Sequence, residues 1–434
     1  MPAARLFYLL ALTTVLGVVG ILVPPLAWVA LALDALLLGA LVIDVARARA
    51  TPLDARRRWP QLLVQGAPAT VEVDLSTPEG RDLDLRLRDT LHPALAAAPQ
   101  RAAFTLPAGG GERWSYGIVP RRRGEHGAGP LMVRILGPWG LGWHQRQLLA
   151  PEPRRVYPQV RWDGEVGRLL LLAHRRSLGQ HPRQLRGVGT EPYALRGYLP
   201  GDPPSKIHWK ASARHGHLVT REDTWERGAR LVVLLDCARG MAGGDDGGRS
   251  KLDHALAAAL ALTRVAAARG DRVTLAAFSD RLERTVRLRG GHRAAHTAFG
   301  ALYDLEARLA EPAFDIAAEA ARGFESRRST VVLFTSVVDL AAAELLRRAI
   351  LALERRHRPI LVNLQDPELV ALAHGPPDTH QGAFAKVAAL EILLANRRLA
   401  ARLRHAGIRV VDTPADRLAL ETLGAYLALF AGRR

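Results

Sequence analysis

The chain has 434 residues, 48% of them hydrophobic and 24% charged, which is enough apolar material for several cores and excludes a disordered composition. One cysteine, Cys237, cannot form an internal disulfide, and no Cys/His spacing of a zinc site is present, so a disulfide scaffold is excluded. The formal charge of +18 would attract nucleic acid or anionic lipid, yet only four of the 60 basic residues are Lys, a genome-wide Arg bias rather than a dedicated basic face. The excess lies toward the N-terminus: residues 47–230 hold 30 basic against 17 acidic side chains, and 231–434 hold 29 against 23.

Residues 6–33 carry no charge, and the apolar run continues to Val45 with Asp34 and Asp44 as its acidic interruptions. Pro24 and Pro25 divide it into two stretches of about 18 and 20 residues, each long enough as helix to cross the hydrocarbon core. A transmembrane helical hairpin over 1–48 is expected, with a second long span that a cleaved signal peptide would lack. Asp34 lies mid-span, where a carboxyl is costly unless it is protonated and hydrogen-bonded inside the hairpin. Arg5 precedes the first span, and Arg47, Arg49, Arg56, Arg57 and Arg58 follow the second. The positive-inside rule then puts both ends in the cytoplasm, giving an inner-membrane protein with the bulk of the chain cytoplasmic.

From about 49 to 160 the pattern becomes short alternating runs: 70–75, 83–88, 102–106, 114–119 and 131–136, separated by turn signals such as PEG and AGGGE. Alternation without helical periodicity predicts antiparallel strands with one buried face, read as an all-β immunoglobulin-like sandwich. Trp114, Trp139 and Trp143 are expected in core and edge packing. Residues 161–230 form a connector, with an amphipathic helix first and a structured loop after it. His215 and His217 share one face of an expected strand, but no carboxylate accompanies them as a metal site would require.

That loop runs RGYLPGDPPSKIHWKASAR from Arg196 to Arg214. Gly201, Asp202, Pro203 and Pro204 force a turn, and a carboxylate there suits a fixed contact with Arg196 or Arg214. Ile207 and Trp209 at strand-like spacing predict a buried Trp209 ring between the two flanking domains. An Asp202, His208, Ser212 triad lacks a nucleophile elbow and oxyanion-hole glycines.

Residues 231–434 alternate apolar strands (231–236, 272–278, 330–336, 359–364, 408–412) with helices (250–270, 293–309, 313–326, 340–356, 382–405, 414–430) and one polar strand at 283–289. This predicts an α/β doubly wound domain with a parallel sheet covered on both faces. Its ligand crevice falls at the strand carboxyl ends, beside Asp236, Thr335 and Ser336.

The order Arg196, Tyr198, Gly201, Asp202, Ile207, Trp209, Ser212, Ala213, Arg214 resembles the signature of the bacterial family known as domain of unknown function 58. Upstream, residues 120–141 are similar to that family's basic, Gly-rich strand and its following turn, met here as Gly137, Pro138, Trp139, Gly140 and Leu141. The C-terminal domain resembles a von Willebrand factor type A module, whose metal-ion-dependent adhesion site starts with D-x-S-x-S after the first strand. Here the window is Asp236, Cys237, Ala238, Arg239, Gly240: both serines are lost and a cation is added. The acidic ligand expected after the fourth strand falls at Ser336, with Asp339 three residues on and Asp245 and Asp246 in a nearby loop. A hard divalent ion needs several oxygen ligands, so the site reads as degenerate and no cofactor is expected.

What the resemblance implies is a membrane-anchored, non-enzymatic interaction or scaffold protein partnered by a MoxR-type AAA+ ATPase and the lipid bilayer. Two alternatives stay open. One is an envelope-associated hydrolase or transferase centred on Asp202, His208 and Arg214. The other is a basic nucleic-acid-binding protein, which would need stacking aromatics along a basic face, whereas only Trp209 and Trp225 lie near basic clusters.

Overall fold

The structure, a computed structural model, describes residues 2–95, 100–160, 164, 167, 191–198, 207–224, 229–244, 248–289, 292–337, 339–377 and 379–431. The chain divides into two compact units, Met1–Tyr157 and Pro158–Arg434. The connector helix expected over 161–185 lies almost wholly outside the described residues, as do Gly201, Asp202, Asp245 and Asp246.

In the first unit two helices, α1 (Ala4–Val19) and α2 (Pro24–Ala50), pack against each other. Pro24 and Pro25 occupy the first turn of α2, where a missing N–H costs nothing. Gly20 sits so near the Ala27 backbone that a side chain would collide with it, which lets the hairpin close tightly. Among the described residues, α2 is the one helix long and apolar enough to span a membrane; α1 is shorter. Apolar side chains such as Phe7, Leu12, Trp28, Leu36 and Val42 face outward. Thr13 is buried instead, and its hydroxyl donates to the Asp34 carboxyl at 2.5 Å, the internal hydrogen bond expected for that acid.

Nine strands follow: β1 (Asp54–Arg58), β2 (Leu63–Val64), β3 (Ala69–Ser76), β4 (Leu83–Leu91), β5 (Gln100–Leu106), β6 (Gly111–Ile118), β7 (Gly124–Leu136), β8 (Trp143–Leu149) and β9 (Glu152–Tyr157). They form a three-stranded sheet, β1-β3-β6, and a larger sheet, β2-β9-β7-β4-β5, with β8 paired to β7. The alternating residues Val71, Val73 and Leu75 meet Leu85, Leu87, Val133 and Ile135 in one shared core, as period-2 patterning requires. Arg57, counted in sequence among the flanking cations, is buried here rather than free at the membrane margin. Its guanidinium donates to both oxygens of buried Asp89 (3.0 and 2.5 Å), and the Tyr116 hydroxyl donates to the same carboxylate at 2.6 Å. The tryptophans divide: Trp114 packs against the core, whereas Trp139 is exposed with Arg47 over its ring, and Trp143 is half-buried beneath Arg86. An aromatic bracketed by guanidinium groups gains from staying at the surface.

The second unit begins with β10 (Glu191–Gly197), α3 (Trp209–His215) and β11 (Val219–Thr224), the two strands pairing antiparallel. Then come β12 (Arg230–Asp236), α4 (Lys251–Ala268), β13 (Arg272–Phe278), β14 (Leu282–Leu288), α5 (His292–Leu302), α6 (Phe314–Phe324), β15 (Thr330–Thr335), α7 (Leu340–Glu354), β16 (Arg358–Leu364), α8 (Pro367–His374), α9 (His380–His405), β17 (Arg409–Thr413) and α10 (Leu418–Ala431). The sheet order is β14-β13-β12-β15-β16-β17. All its pairs are parallel except β13 with β14. The all-parallel expectation is corrected at that edge, because the three residues 279–281 allow a hairpin but not a crossover. Val233 and Leu235 face α4 and α10 in one core, and Val232 and Leu234 face α6, α7 and α9 in the other. Helix α4 starts with a full capping box between Ser250 and Asp253.

Candidate functional site

Strand β12 lies between β13 and β15, so the chain leaves it toward one edge of the sheet and returns on its other side. The crevice between β12 and β15 is the place where such sheets bind ligands. Asp236 ends β12 there and is 1% exposed. Its Oδ2 accepts from the Thr335 hydroxyl at 2.6 Å, and its Oδ1 accepts from the Ala238 N–H at 2.8 Å. Burial pushes this carboxyl up to about 6, against the pull of those two donors. Among the described residues no cation pairs with it.

Arg239 begins the one-turn 3-10 helix Arg239–Met241 that follows. Its guanidinium bridges Glu311 (2.8 Å) and Asp339 (3.1 Å). Asp339 also caps α7 by accepting from Ala342 N–H at 2.7 Å. The cleft lined by Asp236, Arg239, Glu311, Ser336 and Asp339 has about 10 Å³ inside it, the room of one water molecule. Ser336 turns away and donates to the Leu364 carbonyl at 3.1 Å. Ala238 and Gly240 offer no side-chain oxygen.

These residues do not fit a divalent ion. One of the aligned positions supplies a carboxylate, both its oxygens are engaged, and the nearby acids are neutralised by a guanidinium, whereas magnesium or calcium demands six or more oxygens. The structure therefore brings Asp236, Ala238, Gly240 and Ser336 to one mouth without making them a ligand set. Glu311, which completes the arrangement, sits between α5 and α6 and carries no sequence mark of that role.

The signature stretch behaves differently from its sequence reading. Arg196 and Gly197 pair with Thr220 and Val219, and Tyr198 N–H bonds to the Leu218 carbonyl at 2.8 Å. Ile207 bridges to Thr220, and the His208 N–H bonds to the Val219 carbonyl at 2.8 Å. The chain then turns into α3 instead of staying extended. His208 caps that helix, its Nδ1 accepting from Ala211 N–H at 3.1 Å. Trp209 consequently sits on the first helical turn and not on a strand face with Ile207, and it is 68% exposed. This corrects the strand-like placement expected for Trp209 beside Ile207. Arg214 is exposed on the same helix. The Ser212 hydroxyl accepts from Val219 N–H at 2.9 Å and lies 3.1 Å from the His208 carbonyl, so Ser212 and His208 both serve local backbone. Asp202 lies outside the described residues.

A further cluster, missed in sequence, surrounds Asp44 near the end of α2. This carboxylate is fully buried and accepts three backbone N–H bonds, from Trp139 (2.7 Å), Leu141 (2.9 Å) and Gly142 (3.0 Å). A Cβ on Gly137 would overlap the carboxylate. The Gly137–Leu141 turn that carries the family resemblance is thus a latch holding helix α2 to the sandwich. The Ala3 N–H to Leu141 carbonyl bond at 2.8 Å adds the start of α1 to the same turn.

An apolar hairpin latched to a β-sandwich, followed by a doubly wound unit with a small crevice lined in part by an arginine, defines a multidomain chain with a membrane-compatible helix. Residues 194–406 match the model of the family described as protein of unknown function DUF58, and this part of the chain belongs to that family. The chain is 27% identical over 199 residues to the uncharacterized protein Rv1480 of Mycobacterium tuberculosis (strain H37Rv) and, equally, to the uncharacterized protein Mb1516 of Mycobacterium bovis. The match covers 45% of this chain and 61% of those relatives, so it spans less than two thirds of their length. Among solved structures, the conserved hypothetical protein BatB from Bacteroides thetaiotaomicron is similar over 47% of this chain and 99% of its own, at 15% identity and a TM-score of 0.29. The CARDB domain of the PF1109 protein from Pyrococcus furiosus is similar over 24% of this chain and 93% of its own, at 11% identity and a TM-score of 0.19.

Proposed function

We propose that the protein is a membrane-anchored, non-enzymatic scaffold whose α/β unit is a von Willebrand factor type A-like module that works without a metal ion. The observation that carries this reading is Arg239 held between Glu311 and Asp339 at the sheet mouth, beside an Asp236 whose oxygens are already bonded. A paired guanidinium lines the same cleft as Asp236, so in this reading recognition at this mouth proceeds through side-chain charge and shape. The hairpin anchors the chain in the inner membrane with both ends cytoplasmic, and its outward apolar face with Thr13 and Asp34 turned inward supports a lipid-facing role. The immunoglobulin-like sandwich serves as the spacer to which the hairpin is latched.

The partner in this reading is a MoxR-type AAA+ ATPase. Affinity purification of the full chain from detergent-solubilised membranes, with and without ATP, tests it. Stoichiometric recovery of an AAA+ ATPase whose yield changes with nucleotide is the expected result, and its reproducible absence removes the proposed partner. The alternative catalytic reading gains no support from His208 and Ser212, whose hydrogen-bonding groups are directed to backbone.

A further inference from the structure

Helix α9 spans 26 residues, about 39 Å at the usual helical rise, and its two halves have different surroundings. Its C-terminal half inserts Leu399 and Leu403 into the core beneath the sheet. Its N-terminal half packs on α8, where Lys386 donates to the Gly375 carbonyl at 2.9 Å. At the junction, the Asn396 amide donates to the Val337 carbonyl at 3.0 Å, and Val337 also lines the Arg239 cleft. The middle of the helix therefore adjoins the candidate site.

Phe384, Val387 and Leu390 on that half, and Leu394 just past the midpoint, are all exposed, Phe384 at 78%. At 100° per residue these four fall within about 120° of the helix circumference, an apolar stripe interrupted by the exposed Glu391. Phe384 would be an unusual surface residue without a covering group, since exposed apolar stripes of this kind mark interaction sites. Arg398 and Arg402 lie on the same arc further along, with Arg397 and Arg404 also exposed, and the one acidic side chain of the helix is Glu391. A single face thus reads apolar first and basic afterwards.

We infer that this face of α9 is a docking site for an amphipathic protein segment that presents apolar anchors followed by acidic side chains. The assignment rests on the reading of the chain as an interaction protein and adds where and what it grips. Charge complementarity selects the occupant. A second copy of this chain would cover the apolar half and leave the arginine row without counter-charge. An anionic bilayer would accept the arginines, but burying the arc in acyl chains would take the exposed Glu391 carboxylate within it out of water with no donor to pair it, whereas a protein segment can set a polar or basic side chain against it. An acidic amphipathic helix satisfies both halves at once, in the helix-in-groove mode in which apolar anchors supply affinity and flanking charges set orientation.

The test is site-specific photo-crosslinking in native membranes, with Phe384 of the full-length chain replaced by a photoreactive phenylalanine analogue and the adduct mapped to the peptide by mass spectrometry. The expected adduct is a protein segment with apolar residues at helical spacing and Asp or Glu within two turns. The double variant Arg398→Glu, Arg402→Glu should lower its yield at least tenfold without changing the melting temperature, and the same probe at exposed Arg355 should not form it. An adduct to lipid, to a second copy, or to a segment without acids overturns the inference. So does an adduct that survives charge reversal, or no adduct at all. Because the mapped segment is read independently of ATPase co-purification, failure of the docking site and failure of the proposed partner are told apart.

Discussion

The two ends of the chain treat buried charge in opposite ways. In the sandwich unit Asp44 is met by three backbone N–H groups and Asp89 by a two-pronged guanidinium and a phenol. At the sheet mouth Asp236 has one N–H and one neutral hydroxyl, while the nearby cation, Arg239, is turned to other acids. The first arrangement gives each carboxylate several donors and holds parts together, although burial still pushes the Asp89 carboxyl up. The second leaves a carboxyl so under-compensated that burial lifts it to about 6. The difference lies in how many donors each carboxylate has, more in the sandwich unit than at the sheet mouth.

The sharpest break in that contrast comes from Arg57→Ala, which strands the buried Asp89 carboxylate. A loss of roughly 3–5 kcal/mol is expected, read as denaturant unfolding of the sandwich unit in the detergent-solubilised chain. The double replacement Arg57→Met, Asp89→Leu should recover most of it, since removing both charges also removes the desolvation cost.

Asp236 should display its weak compensation as a pH dependence. Its folded value, about 6, lies above the ordinary 3.8, so the native state holds a proton that the unfolded chain releases between those values. Its stabilising contribution is full below the ordinary value and is lost as pH rises through about 6. Two units correspond to roughly 3 kcal/mol. Thermal unfolding of the α/β unit between pH 4 and 8 should carry this slope in the wild type and lose the Asp236 share of it in Asp236→Asn, leaving what buried Asp271 and His357 contribute.

Asp44→Ala should cost about 2–3 kcal/mol through three N–H groups left without their acceptor. The readout is proteolytic cleavage at the 137–142 turn, which should become accessible while the strands of the sandwich stay protected. An unchanged cleavage pattern would mean that the latch is replaceable by water.

The apolar runs of β12, β13, β15 and β16 made the doubly wound sheet legible, because strands buried on both faces carry few polar residues to obscure them. The alternation in β3, β4 and β7 exposed the sandwich in the same way. Other features were hidden for physical reasons. Asp44 read as an interruption of an apolar run because its partners are backbone amides about ninety-five positions away, and an amide carries no residue identity. Trp209 read as a strand residue because the cap that starts its helix is a histidine ring, outside the Ser, Thr, Asp and Asn set by which helix starts are recognised. The lack of side-chain oxygens at Ala238 and Gly240 was visible in sequence, but Glu311, which pairs with Arg239, lies in a loop with no periodicity to place it. The stripe on α9 needed the fold, because length and pattern give a helix without saying which half meets the core.

The central claim is that the sheet mouth works without a metal ion, and calorimetric titration of magnesium and manganese into the full detergent-solubilised chain tests it most directly. The account predicts no saturable heat for either ion and an unchanged melting temperature. One-site binding of either ion that disappears in Asp236→Asn would contradict it.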